Sequence, residues 1–278
     1  MCGIAGFCIN KNDHLPRLSD IVDEMLLEIE ARGKDSTGLA YVRPDRRAYL
    51  YKEAVPAKVY IKNRRRQRRV NGAMLGVMHT RMATQGTPKN PINNHPIYHG
   101  NVIGVHNGHI WNDDSIFDLL DVPRNGEVDS EAAFALLDNF DPLEALPEVR
   151  GSAALAWFDK REGRGTLHLA RVSSSPLAVG QTIGGSFFFA STMGMLERSL
   201  FVNGITLDWK LELGEGTYMK VRNGRIESMD SFKPARPLYS AGPIGTSKPK
   251  RSVAADLPSR WFNWDGTWLD DDTFVPYN

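Results

Sequence analysis

The first nine residues alternate apolar side chains on both faces of an extended segment. Ile4 and Cys8 fall on one side, and Ala5, Phe7 and Ile9 on the other. A strand apolar on both faces is covered on both sides, so residues 2–9 predict a buried strand. The period then lengthens. Ile21, Val22, Met25, Leu26 and Ile29 recur at helical spacing, with Ser19 as the expected N-cap and Gly33 as the stop. GLAYVR and AYLYKEA predict two strands joined at Pro44-Asp45. Residues 73–80 and 102–106 predict buried strands flanking a loop dense in Gly, Pro, Asn and His. Short helices are predicted at 113–120 and 130–140, the second with Ala133, Leu136, Leu137 and Phe140 on one stripe. From 151 to about 221 the chain reads as strand-rich, and RNGR at 222–225 is a hairpin turn signal. Two sheets with helices outside would account for strands apolar on both faces.

Composition narrows this picture. With 278 residues and 41% hydrophobic content, the chain can build a sizeable core. A net charge of +1 argues neither for nor against nucleic acid. There is no apolar run of about 18 residues, so no membrane span is expected. The opening stretch lacks a basic leader, and Lys11, Asn12 and Asp13 end its apolar run too early for a signal peptide. Cys2 and Cys8 would lie roughly 20 Å apart along one strand, too far to bridge. These features predict a reduced, cytoplasmic protein.

The texture changes near residue 230. The expected organisation is a domain over 2–230, a Pro/Gly/Ser/Lys-rich linker over 231–258 and an aromatic, acidic tail over 259–278. The last 18 residues hold six aromatics and four aspartates with no basic residue, which suits either docking to a partner or folding back over the domain. Residues 62–69, KNRRRQRR, carry six Lys/Arg. Without interleaved aromatics that run reads as a solvated loop or helix face, with phosphate contact the less favoured alternative.

Cys2 raises a chemical possibility. Removal of Met1 would give a cysteine with its own α-amine, whose pKa of about 7.7–8.0 lets it serve as a general base. On position alone, a small buried strand residue is the simpler reading. His79, His95, His99, His106 and His109 lie close in sequence and invite a metal, but Pro96 and Gly100 break the helix that a His95-x3-His99 site would need.

Other fragments change the balance on Cys2. MCGIAGF, RGKDSTG (32–38), HTRMATQGT (79–87), NPINNHPI (90–97), HNGHI (106–110) and VDSEA (128–132) resemble, in order and rough spacing, the glutaminase domain of class II glutamine amidotransferases. SSSPLAVG (173–180) and FFFASTMGML (187–196) are similar to strand pairs of that family. The resemblance covers roughly residues 2–225. It implies an α+β fold, a four-layer αββα sandwich of two mostly antiparallel sheets of the N-terminal-nucleophile hydrolase type.

It also implies roles. Cys2 matches the nucleophile, and Asn107 and Gly108 the oxyanion donors. Arg81 matches the residue that holds the substrate α-carboxylate, with Thr84 assisting. Asp129 matches the partner of the α-ammonium. Arg32 and His106 match supporting positions. The expected substrate is L-glutamine, no metal or organic cofactor is needed, and an ammonia-accepting synthase or ligase is the expected partner. Met82 and Gln85 depart from relatives that carry Trp and His there. About 50 residues follow the sandwich, too few for a second catalytic domain. A hydrolase of another γ-glutamyl amide and a non-enzymatic binding module remain alternatives, and the oligomeric state is open.

Overall fold

The computed structural model describes residues 2–45, 47–162 and 165–235, together with the backbone of 262–263 and 267–268. The chain runs through β1 (Gly3–Cys8), α1 (Leu18–Ile29), β2 (Ser36–Val42), β3 (Ala48–Glu53), α2 (Ala57–Tyr60), α3 (Arg64–Arg68) and β4 (Leu75–Arg81). It continues through β5 (Ile97–His99), β6 (Val102–Ile110), α4 (Asp113–Leu120), α5 (Ser130–Asn139) and α6 (Pro142–Ala145). The strand-rich part holds β7 (Gly151–Asp159), β8 (Thr166–Ser173), β9 (Ala178–Thr182), β10 (Phe187–Ala190), α7 (Met193–Phe201), β11 (Leu207–Glu212), β12 (Thr217–Arg222) and β13 (Arg225–Ser231). Two short strands follow, β14 (Phe262–Asn263) and β15 (Thr267–Trp268).

The strands form two sheets. One has the order β11-β9-β10-β1-β4-β2-β3-β15-β14, the other β13-β12-β8-β7-β6-β5. Every strand pair among them is antiparallel. Alternation along β1 explains the stacking. Ala5 and Phe7 pack with Ile21, Leu26 and Leu196 on the outer face. Ile4 and Cys8 join Val77, Val105, Leu169 and Phe189 between the sheets. The second sheet's outer face packs Leu155 and Trp157 against Phe134 and Leu137 of α5. The result is the expected α+β sandwich in four layers, with an apolar centre in which each fully buried Leu, Ile or Phe contributes roughly 1.5–3 kcal/mol.

The 222–225 hairpin forms as expected, with Asn223 and Gly224 at φ 50° and 77°, both in the left-handed region that a two-residue primed turn requires. Three local expectations are corrected. Helix α1 starts one residue before Ser19, so Ser19 lies in its first turn and caps nothing; its N–H donates instead to Asn71 Oδ1 at 2.9 Å. The cap is supplied by a distant loop. The 187–196 segment is a strand only to Ala190. Thr192 then accepts from Met195 N–H and starts α7, interrupting the strand-rich run with a helix. The 62–69 run is not simply solvated. Arg66 is buried, paired with Glu53 and the Tyr60 carbonyl and lying over the Tyr60 ring, while Gln67 is buried against Asp23.

The linker from residue 236, and the tail apart from the backbone of 262–263 and 267–268, lie outside the described residues. The tail's backbone places Thr267 opposite Tyr49 at the β3 edge.

Candidate active site

The site lies at one end of the gap between the sheets. The antiparallel register sets Gly3 opposite Thr80, so β1 begins beside the end of β4. His79 Nε2 and the His106 carbonyl, 3.1 Å apart, tie β4 to β6 across the gap. On β4, Leu75 and Val77 face the inter-sheet core, and by alternation His79 and Arg81 share that face. On β6, Ile103 and Val105 do the same, so Asn107 points into the gap. Cys2 immediately precedes β1. The sequence-predicted nucleophile, carboxylate-binding arginine and oxyanion asparagine are thereby brought to one place.

Cys2 is held on both sides. Its carbonyl accepts from Arg32 Nε at 2.7 Å, and its thiol approaches the Met82 carbonyl at 3.6 Å. Burial pushes the thiol pKa up, while the Met82 contact and the Arg81 charge work in the opposite direction. Arg32 makes this bond from the short turn after α1. Asp35, three residues on, accepts from Ala83 N–H at 2.7 Å. Cys8 lies deep between the sheets, and burial lifts its thiol to about 11.

Asn107 is 1% exposed, yet neither Nδ2 nor Oδ1 has a hydrogen-bond partner. A buried amide without partners carries a desolvation cost that a bound polar group would offset. Ser36, whose hydroxyl is also buried and unpartnered, lies opposite Arg81 on β2. Gly108 has φ +144°, and a Cβ there would come within 1.7 Å of the Ser152 carbonyl oxygen. Glycine is required at that position, and its N–H is presented by a backbone that other residues rarely adopt.

Arg81 is buried and gives hydrogen bonds to Asn94 Oδ1 at 2.9 Å, to the Gly86 carbonyl at 3.0 Å and to the Gln85 carbonyl. Thr84 is exposed in the loop that follows β4. Asp129 occupies the residue before α5, but its side chain does not cap the helix. Its Oδ2 accepts from Ile110 N–H at 2.7 Å and lies 3.2 Å from His109 Nδ1. Burial alone would raise the Asp129 carboxyl; the His109 and Ile110 bonds outweigh it and hold the group below its usual range. His106 faces away from Asn107, with Nδ1 2.8 Å from Ser130 Oγ at the start of α5; burial lowers its pKa.

The other histidines are held by contacts within the protein. His95 stacks on His79 with ring centroids 4.0 Å apart, and His99 pairs with Glu131 at 3.0 Å. Burial drives His79 down to about 3 and His95 well below its normal value, so both rings are neutral. Sequence reasoning missed His109, Lys52 and Asn94 as parts of the site. His109 and Asn94 sat inside quoted motifs, but no spacing marks Lys52.

The His109–Asp129 pair has a pH signature. The Asp129 bond raises the His109 pKa. The pair's stabilisation is therefore full below the unfolded value of about 6.5 and lost as pH rises through the folded value. His109→Gln is expected to lower the melting temperature more at pH 6 than at pH 9. Equal losses at both pH values would show that the pair contributes nothing through its charge.

Residues 79–198 match the family described as glutamine amidotransferase domain. The chain is 28% identical over 211 residues to glutamine–fructose-6-phosphate aminotransferase (isomerizing) of Pectobacterium atrosepticum, covering 70% of this chain and 33% of that protein. It is 30% identical over 209 residues to the Escherichia coli K12 protein of the same name, covering 70% and 32%. This chain thus spans about a third of the length of these curated relatives. Among solved structures, it is similar to the Bacillus subtilis glutamine phosphoribosylpyrophosphate amidotransferase complexed with ADP and GMP. That match has a TM-score of 0.66 and 17% identity, over 84% of this chain and 49% of that one. A glutamine aminotransferase class-II domain protein from Silicibacter pomeroyi matches with TM-score 0.54 and 19% identity, over 84% of this chain and all of that one.

Proposed function

From a chain that carries a glutamine amidotransferase domain homologous to the class II type, we propose a glutaminase that hydrolyses the side-chain amide of L-glutamine and supplies ammonia to a separate synthase or ligase. The observation that carries this reading is Asn107, a fully buried amide with both polar atoms unpartnered, facing the same gap as Arg81 beside Cys2.

In this mechanism Met1 has been removed and the Cys2 α-amine takes the thiol proton. The sulfur attacks the side-chain carbonyl carbon, and the C=O electron pair moves to oxygen. The oxyanion is stabilised by Asn107 Nδ2 and the Gly108 N–H. The α-ammonium then protonates the amide nitrogen, the C–N bond breaks and ammonia leaves, giving a γ-glutamyl thioester. Water, deprotonated by the same amine, attacks the thioester. Sulfur leaves, is reprotonated, and glutamate is released. Arg81 holds the α-carboxylate and Asp129 the α-ammonium. Arg32 fixes the Cys2 carbonyl and so the aim of its side chain. Thr84 borders the pocket, and His106 supports the start of α5 next to Asp129. No cofactor enters these steps.

The test is direct. Intact-mass measurement should show loss of Met1, and a diazo-ketone glutamine analogue should label Cys2 while sparing Cys8, whose thiol is buried. Ammonia release from glutamine should be lost on labelling. Retained Met1 would overturn the mechanism. Labelling of Cys2 with no glutamine turnover, but cleavage of another γ-glutamyl amide, would transfer the reading to a different substrate, because Arg81 and Asp129 address only the glutamyl end.

A further inference from the structure

Lys52 lies on β3, outside the fragments that carry the family resemblance. Its Nζ donates to the Asn94 carbonyl at 2.8 Å and to the Pro96 carbonyl at 3.2 Å. It therefore clamps the segment 94–96 from behind. Asn94 is 1% exposed, and its side chain is used at both ends: Oδ1 accepts from Arg81 Nη1 at 2.9 Å, and Nδ2 donates to the Pro88 carbonyl at 2.7 Å. The chain of contacts runs from the Lys52 amine through the Asn94 backbone and amide to the Arg81 guanidinium. The opposite side of the same segment is also fixed, since His95 stacks on His79. Gly38 lets the His95 carbonyl approach, for a Cβ there would lie 2.0 Å from its oxygen.

We propose that Lys52 is a positioning residue for substrate binding: acting through Asn94, it sets the orientation of Arg81 and thereby the affinity for the α-carboxylate of the substrate. The proposal rests on the glutaminase reading above. It deepens that reading by assigning a determinant of affinity to a side chain that touches neither the substrate nor the nucleophile.

The electrostatics agree with this geometry. Burial lowers the Lys52 pKa to about 7, with Glu131 on α5 opposing the shift and Arg81 on β4 adding to it. The groups facing the amine are therefore Glu131, which also pairs with His99 on β5, Arg81, and His95, which its surroundings keep neutral. The sign follows. Below pH 7 the amine is a charged donor, and its bonds to the two carbonyls are charge-assisted. As pH rises through 7 the charge is lost, the clamp weakens, and one positive charge disappears from behind Arg81. Both changes weaken carboxylate binding as pH rises.

The experiment is steady-state ammonia release from L-glutamine by the full chain, comparing wild type with Lys52→Met, Lys52→Arg and Asn94→Ala between pH 6 and 8.5. Lys52→Met and Asn94→Ala are expected to raise KM about tenfold, the effect of losing one charge-assisted bond, with kcat within about twofold. Wild-type KM is expected to rise severalfold between pH 6 and 8.5, and Lys52→Arg, permanently charged, should flatten that rise. If Lys52→Met does not fold, Lys52→Arg and Asn94→Ala still decide the matter. An unchanged KM in Asn94→Ala, a fall in kcat alone, or the same pH profile in Lys52→Arg would overturn the proposal. Failure of the wild type to turn over glutamine would instead overturn the glutaminase reading, so the two failures are separable.

Discussion

Cys2→Ala is expected to abolish ammonia release from glutamine, lowering kcat by on the order of 10⁴-fold or more, while the protein stays folded. The thiol is the only group proposed to form a bond to the substrate. Alanine is small enough to leave the proposed Met1 removal unaffected, so the proposed base and oxyanion donors persist and only the proposed nucleophile is lost. Cys2 lies before β1, and its carbonyl bond to Arg32 does not need the side chain. The matched control is Cys8→Ala. Cys8 packs between the sheets and donates to the Gly165 carbonyl, so its loss should cost stability and leave kcat largely intact. Steady-state assays with both variants, paired with thermal melts, separate the two cysteines. Activity of Cys2→Ala above about 1% of wild type would remove covalent catalysis from the mechanism.

Asn107→Ala should lower kcat by about 10²–10³, the usual consequence of losing one oxyanion donor. Its effect on stability should run against that loss. Most buried asparagines are costly to remove because they are hydrogen-bonded, but the Asn107 amide has no protein partner. Deleting it relieves an unmet desolvation cost of about 1–3 kcal/mol, set against the cavity that alanine leaves. The urea midpoint is therefore expected to change little or rise. Such a pattern, large in kcat and small in stability, marks a side chain kept for binding and not for folding. A collapse in stability with unchanged kcat would assign Asn107 to the core instead.

The strand alternation and helical periods were legible because they are local. The helix at 113–120 and the primed turn at 222–225 follow from short-range pattern and backbone preference. The reading failed where a distant segment decides. Ser19 has the composition of a cap, but Asn71 supplies the hydrogen bond that satisfies the first turn of α1. Arg66 belongs to a run that reads as solvent-facing, yet Glu53 and Tyr60 compensate its burial from another part of the chain. Thr192 follows a run of three phenylalanines, and the strand signal there masked the helix that starts beside it. The site shows the same division. Cys2, Arg81, Asn107 and Asp129 lie in fragments that could be matched in order. Lys52 could not be found this way, because its relation to Arg81 passes through the backbone of a residue 42 positions away.

The first strand also governs how the molecule can be assembled. β1 lies inside its sheet, between β4 and β10, and its Ile4 N–H bonds to Ser191 Oγ, 187 positions along the chain. Such pairing carries a large loop-closure entropy and slows folding. Until residues 187–190 have been made, one edge of β1 has no neighbour. The segment next to the proposed nucleophile is thus made before the strand that completes its pairing. The end of the sandwich that holds the proposed site is complete only when most of the described fold is.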